Sequence, residues 1–132
     1  MAYLIDTDIL IYSIKRYPQV QDKFKENENV PKFVSVISYG ELVFGAKKSQ
    51  AVEKNMAIAH RVAEIFPVIE ISKAIIETFA GIKAELQRQG LSISDMDLLI
   101  AATALTNNLT LVSNNEKHFL RIPGLYLENW SK

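Results

Sequence analysis

The chain has 132 residues, 48% of them hydrophobic and 23% charged, which is typical of one globular domain spanning residues 1–132 and excludes a disordered chain. It contains no cysteine, which excludes disulfides and thiolate metal sites. Fifteen basic and fifteen acidic residues give a net charge of zero, so charge neither supports nonspecific binding of nucleic acid nor identifies another partner.

The first half of the chain alternates short apolar runs with helical patterns. In chain order, the pattern predicts a strand at 2–5, helices at about 7–15 and 19–25, a strand at 33–36, a helix that contains residue 41, and an amphipathic helix at 50–66. Ser38 is the predicted N-cap of the helix that contains residue 41. Pro67 is predicted to end the amphipathic helix at 50–66.

The second half continues this alternation. It is predicted to contain a strand at 68–71, a long helix from Ser72 to Gly90, a helix at 97–106, a strand at 109–112, a polar loop at 113–118 and an edge strand at 125–127. We therefore expect an α/β fold with a mostly parallel sheet of about four to five strands and helices on both faces. The longest apolar run, 98–105, is too short to span a bilayer and no basic leader precedes an apolar stretch, so a cytosolic protein is expected.

Four of the five aspartates lie in two Asp-x-Asp pairs, Asp6 with Asp8 and Asp95 with Asp97. Each pair stands where an apolar run meets the start of a helical pattern. Acidic residues are favoured there by capping and by the helix dipole, which is the alternative to a functional role. Asp6, however, ends a buried strand, where an unpaired charge is costly. Clustered carboxylates are hard oxygen ligands, so the pairs indicate a Mg²⁺ or Mn²⁺ site.

Polar residues from four segments are expected at one rim of the sheet, because ligand sites in such folds form beyond the carboxyl ends of the strands. Asp6 follows the first strand, Ser38 and Glu41 follow the second, and residues 113–116 follow the fourth. Most glutamates on helices are merely solvated. Around Glu41, however, Ser38 and Gly45 are small and leave room for a substrate.

The start of the helix at residue 97 has a competing interpretation. Ser92 with Asp95, or Ser94 with Asp97, matches the Ser-x-x-acid capping box. The helix continues with an almost wholly apolar run and should be central and rigid, which suits a metal site. His60 and His118 show no zinc-ligand spacing, and His118 is expected to be a surface or partly packed residue.

Four ordered blocks together resemble the PIN-domain ribonucleases, and among them the VapC toxins of bacterial toxin–antitoxin pairs. The blocks are Leu-Ile-Asp-Thr-Asp-Ile-Leu-Ile from residue 4, Ser-Val-Ile-Ser-Tyr-Gly-Glu-Leu-Val-Phe-Gly-Ala from residue 35, Asp-Leu-Leu-Ile-Ala-Ala-Thr-Ala from residue 97, and Leu-Val-Ser-Asn-Asn-Glu-Lys-His-Phe from residue 111. The resemblance gives Asp6, Glu41 and Asp97 the roles of metal-binding and catalytic acids.

Two positions depart from the family pattern. Asp8 stands where asparagine is more common, which adds a further carboxylate, and Asn115 stands where many relatives have aspartate. Asn115, Asp8, Asp95, Ser113 and Ser38 are therefore secondary site candidates. Residues two apart in a helix diverge by roughly 200° around its axis, so we expect Asp97 to be the ligand and Asp95 mainly to cap the helix or to support a ligand without touching the ion.

The resemblance also implies the reaction and the partners. One or two Mg²⁺ or Mn²⁺ ions would activate water for hydrolysis of an RNA phosphodiester, with transfer or ribosomal RNA as the expected substrate. The phosphate-contact candidates are Lys15, Arg16, Lys47 and Lys48. A VapB-like antitoxin that blocks the site is implied, as is a homodimer.

Two other classes also place acids after a first strand. A haloacid-dehalogenase-like phosphatase would use Asp6 and Asp8 as nucleophile and acid, but it needs a downstream lysine, a late acidic motif and usually a longer chain. A receiver domain needs an aspartate near the middle, and none occurs between Asp22 and Asp95. The phosphatase remains the alternative, and the receiver domain is excluded.

Overall fold

Five strands form one parallel sheet, flanked by seven helices, in the computed structural model, which describes residues 1–132. The strands are β1 (Tyr3–Ile5), β2 (Lys32–Ser35), β3 (Val68–Ile69), β4 (Thr110–Val112) and β5 (Leu127–Glu128). The helices are α1 (Thr7–Ile14), α2 (Pro18–Glu26), α3 (Val36–Lys47), α4 (Val52–Ile65), α5 (Lys73–Arg88), α6 (Asp95–Thr106) and α7 (Glu116–Phe119). The predicted α/β class with a parallel sheet is confirmed.

The strand order is β3-β2-β1-β4-β5, so β1 lies at the centre. Leu4 of β1 is in register with Phe33 of β2 on one side and with Leu111 of β4 on the other. After β1, the chain forms β2 and β3 on one side of it, and then crosses to form β4 and β5 on the other side. Connections that leave neighbouring strands in opposite directions open a crevice at the carboxyl ends of those strands. Here the crevice lies beyond β1 and β4.

Each face of the sheet has its own apolar core, because successive side chains of a strand point to opposite faces. Leu4 and Leu111 pack in a cluster with residues of α5 and α6. Ile5 and Val112 pack in the second cluster with residues of α1, α2 and α4 and with Trp130. Helices therefore cover both faces, as predicted.

Several predicted boundaries were displaced by local capping. β2 ends at Ser35, whose Oγ accepts a hydrogen bond from the Ile37 N–H at 3.0 Å, so Ser35 caps α3 and the prediction of Ser38 as the N-cap was wrong. α6 begins at residue 95 rather than 97, because Ser94 is its N-cap. The edge strand lies at 127–128 rather than 125–127, since the Leu125 N–H turns back to the Ile122 carbonyl.

The long helix α5 ends as its sequence predicts. Gly90 has a φ of +72°, a left-handed conformation that glycine adopts without a steric cost. The Leu91 N–H then donates to the Leu86 carbonyl at 2.9 Å and closes the last turn. None of the seven helices combines the length and the apolar character needed to cross a bilayer.

Candidate active site

The three predicted acids lie together at the crevice beyond β1 and β4, although they are far apart in sequence. They border a pocket of about 280 Å³, lined by Asp6, Thr7, Asp8, Ile11, Glu41, Asp97 and Asn115. A larger cleft of about 600 Å³ between α1, α2 and α4 has no carboxylate in its lining. The smaller pocket is therefore the one with the side chains for metal or phosphate chemistry.

Asp6 is the most constrained of these acids. It is the N-cap of α1 and only 6% exposed. Its Oδ1 accepts from the Thr7 N–H at 2.8 Å, and its Oδ2 accepts from the Ser113 hydroxyl at 2.7 Å. Burial, followed by repulsion from Asp8, raises the pKa of Asp6 to about 7, although the two hydrogen bonds lower it in part. A cation in the pocket would offset both causes of the rise.

Asp8 connects two segments that border the pocket. Its Oδ1 accepts from the Ile9 N–H at 2.7 Å, and its Oδ2 accepts from the Asn114 N–H at 3.0 Å. Burial raises the pKa of Asp8 despite these bonds. Because a backbone donor engages each oxygen, Asp8 ties α1 to the loop after β4 and is less free to rotate towards an ion than Glu41.

Glu41 reaches the pocket from the second turn of α3. The Thr7 hydroxyl donates to Glu41 Oε1 at 2.6 Å, across 34 positions of sequence. Thr7 was not among the predicted site residues. Its hydroxyl orients Glu41, while its N–H orients Asp6, so one residue connects two of the acids.

Asp97 projects into the pocket from the first turn of α6. Its Oδ2 lies 3.4 Å from Asn115 Nδ2 and 3.4 Å from His118 Nδ1. The Asn115 and His118 nitrogens are 3.0 Å apart. The expectation that His118 is a partly packed surface residue missed this contact with Asp97. The sequence contained one signal for this position: His118 follows the site candidate Asn115 by three residues, about one helical turn, so the two side chains can lie on the same face.

Asp95 lies outside the pocket. Its carboxylate pairs with Lys83 of α5 at 2.9 Å, and the side chain is 58% exposed. Of the two proposed capping pairs, the structure contains half of the second: Ser94 Oγ accepts from the Asp97 N–H at 3.3 Å, while the Asp97 carboxylate turns to Asn115 and His118 instead of back to Ser94. The predicted divergence of Asp95 and Asp97 is therefore present in the structure, but Asp95 pairs with Lys83 and neither caps α6 nor supports a pocket acid.

The two serine candidates have different environments. Ser113 is fully buried and donates to Asp6, and its Oγ also accepts from the Asn115 N–H at 2.9 Å. Ser38 is also fully buried, but its hydroxyl has no hydrogen-bond partner and does not line the pocket. The structure brings Ser113 to the acids and leaves Ser38 away from them.

None of the four basic candidates lines the acidic pocket. Lys15 borders a neighbouring, largely apolar groove of about 190 Å³ that also contains Glu41 and Gly45. Arg16 borders the 600 Å³ cleft. Lys47 is exposed at the end of α3, and the Lys48 ammonium lies 5.1 Å from the centre of the Phe44 ring. Any phosphate contact of these residues would be to RNA beyond the pocket.

The acids are close but do not form a closed ligand cage. No three acidic or histidine side chains converge tightly enough to hold one ion directly. Mg²⁺ commonly keeps several of its waters and binds through one or two carboxylates. A pocket that is lined by carboxylate oxygens and has room for water suits this mode of binding. It is less suited to an ion whose ligands all come from the protein.

The PIN-domain family model matches residues 3–125. The chain belongs to the PIN-domain family. Ribonuclease VapC2 of Haemophilus influenzae is 39% identical over 132 residues, 98% of each chain. The tRNA(fMet)-specific endonuclease VapC of Shigella flexneri is 34% identical over 99% of each chain. This PIN domain is thus a VapC-type ribonuclease toxin, and the family resemblance of its four sequence blocks is confirmed.

The solved structures agree with the family match. A chain in the crystal structure of VapBC2 from Rickettsia felis, bound to a DNA fragment from their promoter, superposes with a TM-score of 0.92 at 35% identity and covers 98% of this chain and 99% of its own. VapBC-1 from nontypeable Haemophilus influenzae gives 0.90 at 32% identity, with full coverage of both chains. The phosphatase alternative finds no support among these relatives.

Proposed function

We propose that this PIN domain is an endoribonuclease that requires Mg²⁺ or Mn²⁺ and uses Asp6, Glu41 and Asp97 as its metal-binding and catalytic acids. The observation that carries the proposal is the meeting of these three acids, from distant parts of the chain, around one pocket at the carboxyl edge of the sheet. Structural acids seldom accumulate in this way, because neighbouring carboxylates repel one another.

The donor chemistry favours a hard divalent cation. Every acidic group at the pocket offers oxygen, and the chain has no cysteine to bind a softer metal. When bound, Mg²⁺ or Mn²⁺ would activate the attacking water and offset charge on the phosphodiester. Asp6 would bind the ion in its ionised form, and loss of its proton is coupled to metal binding because burial raises its pKa to about 7.

Neutral side chains around the acids would position them for this work. Ser113 and the Thr7 N–H engage Asp6, the Thr7 hydroxyl engages Glu41, and Asn115 lies beside Asp97. Such partners fix the rotamer of each carboxylate and leave other lone pairs of its oxygens for the ion or its waters. The pocket is thereby organised before metal and substrate arrive.

The proposed substrate is a looped region of a structured RNA, with transfer RNA first. The Shigella flexneri and Salmonella typhimurium relatives are named tRNA(fMet)-specific endonucleases, which supports transfer RNA without identifying the one cleaved here. Proteins recognise such loops through splayed bases and phosphates. Lys15 is the first candidate for a phosphate contact, because it borders the same groove as Glu41.

The proposed regulator is a VapB-like antitoxin. The solved structures that resemble this chain include VapBC assemblies from Rickettsia felis and Salmonella typhimurium. An antitoxin that covers the acidic crevice would keep RNA from Asp6, Glu41 and Asp97. A homodimer of this chain is proposed as the unit that the antitoxin binds.

Two assays test the proposal. Purified protein should cleave RNA with Mg²⁺ or Mn²⁺, stop with EDTA and recover when metal is restored. Wild-type cleavage that continues unchanged in EDTA, while a matched preparation of Asp6→Ala shows no cleavage, would eliminate the metal requirement. In cells without antitoxin, the wild type and the Asp22→Ala control, altered at an exposed residue of α2, should arrest growth while Asp6→Ala should not. Equal arrest by all three would contradict the toxin role.

A further inference from the structure

His118 contacts the acidic pocket at two residues, Asn115 and Asp97. Asn115 precedes the single turn of α7, and His118 is the third residue of that turn. The imidazole Nδ1 lies 3.0 Å from Asn115 Nδ2, while the same amide nitrogen lies 3.4 Å from Asp97 Oδ2. His118 Nε2 has no hydrogen bond, and the side chain is 41% exposed. The imidazole therefore faces the site through Nδ1 alone.

Two arrangements of donors and acceptors fit this trio: His118 Nδ1 can donate to Asp97 Oδ2 at 3.4 Å, or it can accept from Asn115 Nδ2 at 3.0 Å. The shorter contact favours the second arrangement. An amide nitrogen carries two N–H groups and accepts nothing, so one N–H of Asn115 can serve Asp97 and the other can serve His118 Nδ1. The imidazole is then the neutral tautomer with its proton on Nε2. The flipped amide would turn the Asn115 oxygen towards the Asp97 carboxylate, which is repulsive.

Asn115 also connects the two sides of the pocket. Its backbone N–H donates to Ser113 Oγ at 2.9 Å, and Ser113 donates in turn to Asp6 at 2.7 Å. One residue thus contacts Asp97 directly and Asp6 through a buried hydroxyl. The orientation of the Asn115 amide is held from outside the pocket only by His118.

We propose that His118 is a positioning residue whose Nδ1 lone pair holds the Asn115 amide against Asp97 and so sets the Asp97 geometry that binds the divalent ion. The inference rests on the proposed function, and it adds a residue that touches neither RNA nor metal. Loss of such a supporting partner typically weakens metal affinity by about 10- to 100-fold.

Two amide substitutions distinguish the two imidazole nitrogens. The side-chain oxygen of His118→Asn lies where Nδ1 lies, and the side chain of His118→Gln reaches the position of Nε2. Calorimetric titration with Mn²⁺ should give an affinity about 10-fold weaker for His118→Ala and His118→Gln. His118→Asn should recover most of the wild-type affinity. The matched control is His60→Ala, which removes the other histidine, an exposed residue of α4.

A second measurement needs no metal. The exchange of the Asn115 side-chain amide protons with water, followed by NMR in EDTA, should be faster in His118→Ala and His118→Gln and remain near the wild-type rate in His118→Asn. Wild-type Mn²⁺ affinity in all three variants, or recovery by glutamine and not by asparagine, would overturn the inference. If the wild-type protein itself binds no Mn²⁺, the proposed metal function fails instead, and an unchanged exchange rate of the Asn115 amide in His118→Ala would separately overturn the contact.

Discussion

The two Asp-x-Asp pairs share one spacing and have opposite geometries. Asp6 and Asp8 both border the acidic pocket, and each accepts a hydrogen bond from the segment after β4. Asp97 borders the pocket too, whereas Asp95 turns outward and pairs with Lys83. Sequence spacing alone therefore does not determine whether two acids can serve one site.

The difference follows from where each helix begins. Asp6 is an N-cap with extended backbone, at a ψ of 159°, and only Asp8 belongs to α1. Asp95 and Asp97 are both inside α6, where two residues rotate a side chain by roughly 200° about the axis. A pair that straddles a helix start can converge, and a pair within the first turn diverges.

The largest expected effect separates Asp97 from Asp95 in RNA cleavage. Asp97→Ala should lower the cleavage rate by more than the roughly 10- to 100-fold typical of supporting residues, because it removes a proposed metal ligand. Asp95→Ala should change the rate only a few-fold, since it removes an exposed ion pair of about 1 kcal/mol or less. Rates measured at saturating Mn²⁺ would contradict the comparison if the ranking were reversed.

The second expected effect is a pH dependence of stability in the metal-free protein. The pKa of Asp6 is raised from 3.8 to about 7, so between these values the folded state keeps a proton that the unfolded state has lost. Stability should therefore fall as pH rises from about 4 to about 7, and Asp8 contributes in the same direction. Asp6→Asn retains a side chain that can cap α1. It should remove the contribution of Asp6 to the pH-dependent change in the free energy of unfolding, which is at most about 4 kcal/mol.

Urea unfolding in EDTA at pH 5 and pH 8 measures this effect. The wild type should have a lower free energy of unfolding at pH 8 than at pH 5, and this difference should be smaller in Asp6→Asn. The control Asp95→Asn should leave the difference unchanged, because that carboxylate is largely exposed. A wild-type protein that becomes more stable from pH 5 to pH 8 would contradict the raised pKa values of the carboxyl groups of Asp6 and Asp8.

A smaller effect concerns the cap of α6. Asp97→Asn relieves carboxylate repulsion in the metal-free protein, so its melting temperature should equal or exceed that of the wild type while cleavage is lost. Ser94→Ala, which removes the N-cap, should instead cost about 1 kcal/mol. A large drop in the melting temperature of Asp97→Asn would favour a capping role for that carboxylate.

The smallest effect is the energy of the Lys83–Asp95 ion pair. Both side chains are partly exposed, at 40% and 58%, so a double-mutant cycle with Lys83→Met and Asp95→Asn should give a coupling below about 1 kcal/mol. A coupling of several kcal/mol would mean that Asp95 contributes more to the fold than an outward residue should.

Much of the fold could be predicted because local patterns and tertiary packing agree in most elements. Apolar runs predicted β1, β2 and β4, and Ser72 and Gly90 predicted the ends of α5. The errors occurred where two signals compete. Ser35 and Ser38 can both cap a helix, and the capping contact of Ser35 with the Ile37 N–H decides the start of α3.

The site could be predicted as far as its acids and two of their polar neighbours, Ser113 and Asn115. Carboxylates at strand ends and helix starts are visible in the chain, and the structure brings Asp6, Glu41 and Asp97 to one pocket. Thr7 and His118 were missed because their contacts are between distant positions: Thr7 meets Glu41 across 34 residues, and His118 meets Asp97 across 21. No local pattern encodes such pairings, which depend on how α3, α6 and α7 pack at the sheet edge.

Anomalous diffraction from crystals soaked in Mn²⁺ tests the central claim most directly. A Mn²⁺ peak should appear in the pocket bounded by Asp6, Glu41 and Asp97, with at least one carboxylate oxygen bound to the ion directly and the remaining contacts made through water. No peak should lie beside Asp95. A pocket without a peak at saturating Mn²⁺, or a peak that lies away from all three of these acids, would contradict the proposed metal site.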